Sequence, residues 1–495
     1  MKTSKLLALP LALAVAMSGC GSATQTDTTA NEEQVAIEAE TTDDTQTEVT
    51  DEAETEATEA KQPFSLTRDD LTINETITDD ADESHAITAD GTSDSYADLE
   101  VIKTGAADGD EADFYGTNAA VFATNGATLD LSGIYVNTSG THANAVFSYG
   151  EGTTLNISNS VIETDGNCSG GIMVTGGGTL NATDLAIHTT GNSSAAIRSD
   201  RGGGTQNVTG GTYVTDGTGS PVIYSTADVT VSQATLESTA SQGVVVEGKN
   251  SVTLNDVELT ASNTTKNSDK SSWYQAVMIY QSMSGDAAEG KASFTMDGGS
   301  LTNKNGDVFF VNNTVADINL TSADIVNEDT EGVFLRAAAA GWGSEGSNGG
   351  HVTLTASDQA IDGDIVVDEV SELNLYLKDG STLTGAVNAD NTGAVYVEIE
   401  SGSKWVLTGD SYVTALTCDA DAIDLNGHTL YVDGVAYEAG TASSGSAIEF
   451  TLPTGGGMGG APDGGPGGGP GGPGGPGGPG GPDGPDGEPP AKPGE

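Results

Sequence analysis

Two apolar residues flanking one small polar residue recur along this chain at nearly fixed intervals, and no other feature constrains its fold as tightly. The unit reads Leu129-Asp130-Leu131, Leu155-Asn156-Ile157, Leu180-Asn181-Ala182, Gln206-Asn207-Val208, Val229-Thr230-Val231 and Val252-Thr253-Leu254. After an insertion it resumes as Phe294-Thr295-Met296, Ile318-Asn319-Leu320 and Val352-Thr353-Leu354. Alternation of this kind belongs to an extended strand with one face turned inward. A unit of about 25 residues cannot enclose its own apolar face, so it must stack on copies of itself.

Two further strands accompany each triplet. A short apolar run precedes it, as in Val121-Phe122, Val146-Phe147, Ile172-Met173, Val244-Val245, Phe309-Phe310 and Val333-Phe334. A third strand follows after a brief turn, as in Ile134-Tyr135-Val136 and Val257-Glu258-Leu259. Gly, Asn, Asp, Ser and Thr fill the turns, supplying corner geometry and side-chain hydrogen bonds to the backbone. Three short strands per coil predict an all-β fold, a right-handed parallel β-helix. A β-sandwich would not hold one period through loops of such different lengths. The 69 glycines and the shortage of helix-period segments exclude an α-rich fold.

The chain divides by composition. Lys2 and Lys5 precede an apolar stretch from Leu6 to Ala16 that ends in Met17-Ser18-Gly19-Cys20. This resembles a bacterial lipoprotein signal, which implies removal of residues 1–19, a lipid on Cys20 and a membrane-anchored place in the bacterial cell envelope, facing outward. Residues 20–65 read as a disordered acidic tether, because they hold almost nothing apolar to offset the entropy of ordering. Residues 66–118 are assigned to an N-terminal cap and first coil, 119–370 to the regular coils, and 371–453 to C-terminal coils and a cap. Residues 454–495 form a disordered Gly/Pro-rich tail. Within the C-terminal part, Ser403 to Val413, continuing to Leu430-Tyr431-Val432, resembles a segment near the end of autotransporter passenger β-helices. As a whole the chain resembles secreted bacterial right-handed β-helix lipoproteins of pectate-lyase-like fold, some of which bind carbohydrate.

Sixteen Lys and Arg stand against 73 Asp and Glu, a net charge of −57. Such a field repels nucleic acid and anionic membrane surfaces and so argues against both as partners. Cys168 and Cys418 fall on coils too far apart to pair with each other, so no disulfide is expected to staple the fold. The cofactor expectation is none, with Ca²⁺ as the one possible ion. Asp108, Asp110 and Asp113 are weak ligand candidates for it, at a spacing that is not an EF-hand's.

Breaks in the rhythm are where chemistry is expected. Asn263–Tyr274 carries Trp273, Gln281–Lys291 follows Tyr280, and Ala337–Gly350 follows Arg336 and carries Trp342, Glu345 and Asn348. The last two insertions leave the same strand of their coils and should emerge on one side. Tyr149, Arg198, Asp200 and Arg201 occupy matching positions in earlier coils. Aromatic planes, guanidinium groups and acids along one face suit a polysaccharide, whose C–H faces stack on rings while its hydroxyls need planar polar partners. The expected function is a non-enzymatic surface binding or adhesion module for polysaccharide. Two alternatives stand beside it: a polysaccharide lyase or glycoside hydrolase, and an envelope spacer without a specific ligand. The Gly-His-Gly and Arg-Ile-Lys motifs of polygalacturonase-like enzymes are absent from the coils, and no catalytic residue is assigned.

Overall fold

The computed structural model of the protein describes residues 64–450, apart from 110, 267–269 and 283. They fall within one unit, 1–458; a second unit, 459–495, lies outside the described residues. So do the signal peptide, Cys20, nearly all of the tether, the tail and Asp110.

Alternation of apolar and polar residues produces strands, and the strands of successive coils pair in parallel. The described residues form a right-handed parallel β-helix with two long sheets of 21 and 11 strands. The triplets lie in the larger sheet and define its register. Leu129 pairs with Leu155, Leu155 with Leu180, Leu180 with Gln206, and so on through Val229, Val252, Phe294 and Ile318. The ninth triplet is displaced. Ile318 faces Leu354, so the in-register unit is Leu354-Thr355-Ala356 rather than Val352-Thr353-Leu354. The first strands form the 11-stranded sheet, where Val121, Val146, Ile172, Ile197, Ile223, Val244, Val277, Phe309 and Leu335 share one inward column. There too one expected strand shifts, from Val333-Phe334 to Leu335-Arg336. Coils already begin within the N-terminal part: Ile87–Asp90, Ser93–Ala97 and Leu99–Lys103 each pair with the next coil.

Inward columns supply the core. Leu129, Leu155, Val252, Phe294, Phe309 and Leu354 are all without solvent contact. Phe294, Phe309 and Phe334 interlock edge to face at ring distances of 5.6 and 5.5 Å. Trp405 closes the core further on, its indole N–H donating to the Gly385 carbonyl at 3.0 Å.

Two corner devices explain the turn composition. After each triplet strand one residue adopts a left-handed backbone, and Asp98, Gly133, Asn159, Asp184, Gly210, Gln233 and Asp256 occupy that place in successive coils, Gln233 being the exception to the Gly, Asn and Asp preference. Gly tolerates this conformation freely, and Asn and Asp better than other side chains. The corner leading into the 11-stranded sheet repeats a Thr-x-Gly-x-x-Ser pattern. Thr164, Thr189 and Thr215 donate to the carbonyls of Ser169, Ser194 and Ser220 in their own coils. Those serine hydroxyls donate to Gly140, Gly166 and Gly191 of the coil before. The glycines stack so tightly that a Cβ on Gly191 would lie 1.9 Å from the Gly166 carbonyl oxygen.

Cys168 is fully buried at this corner with a positive φ. Cys418, at the far end of the stack, is a free thiol.

Beyond residue 357 the larger sheet is joined by a four-stranded sheet that includes Thr382–Thr384 and Lys404–Val406. An antiparallel hairpin, Leu430–Val432 against Val435–Ala436, ends the stack. Residues 443–448 then fold back, with Ser443 bridging Cys418 and Ile448 exchanging hydrogen bonds with the Asn374 amide.

Candidate functional site: the outer face of the 11-stranded sheet

Along a strand every second side chain points outward. On the 11-stranded sheet one outward column runs Phe122, Phe147, Met173, Arg198, Tyr224, Val245, Met278, Phe310 and Arg336. Most of these residues are buried although they lie outside the core. The cause is a second layer of chain. The helix Glu111–Tyr115 lies over the first coils, and the three insertions lie over the later ones.

Under the helix is a polar cluster. Asp113 is fully buried, with Arg198 Nη2 at 3.1 Å, His142 Nδ1 at 3.0 Å and the Asn144 amide donating at 3.2 Å. Arg198 also reaches Asp200 at 3.4 Å and donates to the Cys168 carbonyl. One guanidinium thus faces two carboxyls, and their environments pull them apart. Burial opposes ionisation of Asp113, but Arg198 and His142 outweigh it and hold the carboxyl below its usual range. Burial, reinforced by the charges of Asp113 and Asp286, pushes Asp200 up to about 8 against the pull of Arg198. Arg201 extends the chain of charges: its guanidinium lies 3.9 Å from the Phe114 ring centroid and holds Asp286 of the 281–291 insertion. Helix and insertion, far apart in sequence, are therefore clamped by one side chain.

Beside this cluster is an aromatic cleft of about 90 Å³. Trp273 packs on Phe310 at 5.4 Å and beneath the Arg336 guanidinium at 4.8 Å. Arg336 is fixed by a two-pronged pair with Asp307, Nε to Oδ2 at 2.6 Å. Trp342 meets Tyr280 edge to face at 5.1 Å. The Tyr280 and Tyr224 hydroxyls both donate to Oε2 of the fully buried Glu247, at 2.8 and 2.5 Å. Burial raises Glu247 above the ordinary carboxyl range. Two insertions are joined across the cleft: the Gly341 N–H donates to the Lys270 carbonyl at 2.9 Å. A Cβ on Gly341 would meet the Lys270 Cα at 2.6 Å, so only glycine allows this approach.

The structure thus brings Trp273, Tyr280, Arg336 and Trp342 to one place and sets the other candidates elsewhere. Arg336 belongs to the column of Arg198 and Tyr224, two positions before the turn where the sequence pattern put it. Arg198 and Asp200 are buried polar partners rather than exposed ligands, because the helix covers them. Tyr149 packs against Tyr115 and Phe122. Asn348 is buried, its amide donating to the Ala340 and Trp342 carbonyls at 2.7 Å, so it shapes the loop instead of facing a ligand. Glu345 is exposed at the loop tip. Of the acidic run, Asp108 is exposed, Asp110 lies outside the described residues, and Asp113 points inward to Arg198. Sequence reading missed Tyr224, Glu247, Asp286, Asp307 and Lys270. Only Tyr224 and Glu247 carried a readable signal, as polar residues at outward places of otherwise apolar strands.

Comparison with known proteins fits this architecture. The chain is 30% identical over 181 residues to the autotransporter adhesin/invasin TibA of Escherichia coli O78:H11 (strain H10407 / ETEC), a match covering 32% of this chain and 18% of TibA. It is 30% identical over 150 residues to Autotransporter CRAC of Citrobacter rodentium (strain ICC168), covering 28% of this chain and 9% of that protein. The chain therefore spans less than a fifth of the length of either relative. No protein-family model matches it, and no solved structure matches it significantly.

Proposed function

We propose that this is a bacterial surface adhesion module whose β-helix presents a glycan-binding cleft, the cleft of Trp273, Tyr280 and Trp342. The observation that carries the reading is the convergence of two insertions, 263–274 and 337–350, on one aromatic hollow outside the β-helix core. Ring planes beside amide and hydroxyl groups are what a pyranose needs, apolar faces for its C–H surfaces and donors and acceptors for its hydroxyls. The similarity to an autotransporter adhesin/invasin supports a role at the outer surface, and the leader ending at Cys20 supports a lipid-anchored place in the envelope.

Binding rather than turnover is favoured by the state of the nearby carboxyls. Glu247 is sealed behind two phenols and Asp307 is held by Arg336, so neither reaches a sugar bond in the cleft. A glycan array on the purified full chain tests the reading. Two of the three tryptophans line the cleft while Trp405 is in the core, so a bound sugar should change intrinsic fluorescence. Trp342→Ala is expected to weaken binding by at least about tenfold, the loss of one aromatic stacking partner at a well-filled site. Retained affinity in that variant, or an array with no positive glycan, would sink the proposal.

A further inference from the structure

We propose that residues 64–74 are a strap that peels off under tension on the N-terminal chain while the coils stay folded, making the module compliant when its ligand is pulled; this rests on the tethered-adhesion reading above. These residues precede the first strand, Glu75–Asp79, yet they do not lie beyond the end of the stack. On the larger sheet one outward column runs Thr76, Glu100, Tyr135, Val161, Ala186 and Thr212. Arg68 pairs with Glu100 at 2.7 Å and lies 5.4 Å from the Tyr135 ring centroid. The Phe64 carbonyl accepts from the Thr212 hydroxyl at 3.2 Å.

From Tyr135 to Thr212 the column climbs three sheet spacings, about 14 Å, and the chain from Arg68 to Phe64 spans about 13–14 Å when extended. The strap therefore runs across the strands, and the described chain enters the fold on its flank. The sheet is apolar just where the strap lies. Tyr135, Val161 and Ala186 sit beneath it, with Val161 and Tyr135 buried although they face outward. From Thr212 onward the same column is polar, continuing as Thr235, Glu258, Ser300 and Asp324. Phe64 and Leu66 share one groove with Val161, Ala186 and Val214.

This attachment yields contact by contact. Among the described residues no backbone ladder joins 64–73 to the coils; the turn at 67–71 bonds to itself, and the ladder side begins where the Asn74 N–H donates to the Asp98 carbonyl. Coils, by contrast, are held to their neighbours by parallel ladders in each sheet. Tension on Phe64 loads the Thr212 contact first, then the apolar groove, then the Arg68 pair, which is partly exposed and therefore weak. Contacts that carry the whole load in turn give way at lower force than a ladder whose bonds share it. Once released, the strap adds length, so tension at the cleft falls before the ligand is drawn out.

Magnetic tweezers on the full chain test this, with one handle on an N-terminal ligation tag and the other on a tag inserted at the loop tip beside Glu345, so that no glycan is needed. Freeing residues 64–74 yields about 37 Å of chain, and the point of attachment retreats about 24 Å along the column to Glu75. A reversible step of about 60 Å is therefore expected below the force that unravels coils, each of which would release about 85 Å. Phe64→Ala/Arg68→Ala should move that step to lower force and leave coil unravelling where it was, which also shows that the coils of the variant are intact. Absence of the step in the native chain before coils give way, or a step unmoved in the double variant, would overturn the strap. Either result leaves the glycan-binding reading standing, since that reading falls only with a silent array or an indifferent Trp342→Ala.

Discussion

Asp200 shows how burial and charge decide the state of a single residue. Its carboxyl shares Arg198 with Asp113, and only one of the two acids can be ionised beside that guanidinium at modest cost. Asp113 is the ionised one. An unfolded Asp200 ionises near its ordinary value of 3.8, whereas in the fold it holds its proton up to about 8. Between those limits the native state binds more protons than the unfolded chain, so stability falls as pH rises from about 4 to about 8. Asp200→Asn keeps the shape and removes the titration. We expect this variant to melt a few degrees above the native protein at pH 8, with the two melting curves converging near pH 4. A constant gap across that range would show that Asp200 titrates normally. This behaviour was not legible in the sequence. Asp200 and Arg201 read as an exposed turn because the covering helix lies some ninety residues earlier. At Asp108–Asp113 too, local acid density was visible, but Arg198, the partner of Asp113, was not adjacent to it.

At the scale of elements, regular strands were readable and their covering was not. Alternation at Leu129-Asp130-Leu131 signals one wet face, and the larger sheet has one. The first strands read simply as apolar, as at Val277-Met278 and Phe309-Phe310. Such runs are ambiguous between a small inward patch and a strand buried on both faces. The structure resolves this in favour of burial on both faces, because the insertions form a second layer. Corner chemistry also separates into kinds. Gly191 allows close approach between coils, whereas Gly402 has a positive φ with nothing within 4 Å of where a Cβ would stand. Gly191→Ala must displace the Gly166 carbonyl, and overpacking of this sort costs about 1–3 kcal/mol or more. Gly402→Ala meets only the left-handed backbone preference, about 1–2 kcal/mol, with no clash added. Denaturant midpoints should therefore fall further for Gly191→Ala. The reverse order would mean that the glycine corner is not closely packed in solution.

For the whole molecule, the dominant fact is the imbalance of charge. A field of −57 slows the approach of any acidic ligand, and the effect reaches about 30 Å at 0.01 M salt but only about 8 Å at 0.15 M. The association rate for an acidic oligosaccharide should therefore rise as salt is added over that range. An ordinary attractive pair would show the opposite trend. Stopped-flow tryptophan fluorescence reads this directly, and a falling rate would show that the local field at the cleft, rather than the net charge, governs the encounter.

The glycine corner has one more consequence, for size. Gly166 and Gly191 are 25 residues apart and occupy the same place in adjoining coils. Excising residues 166–190 would rejoin the chain with the corner Thr, Ser and Gly groups and the core columns meeting equivalent neighbours, one sheet spacing of about 4.8 Å shorter. Removing one residue more or fewer would set every later side chain on the wrong face. The molecule's length is therefore discrete: it changes by whole coils, while the aromatic cleft travels along it as a fixed attachment.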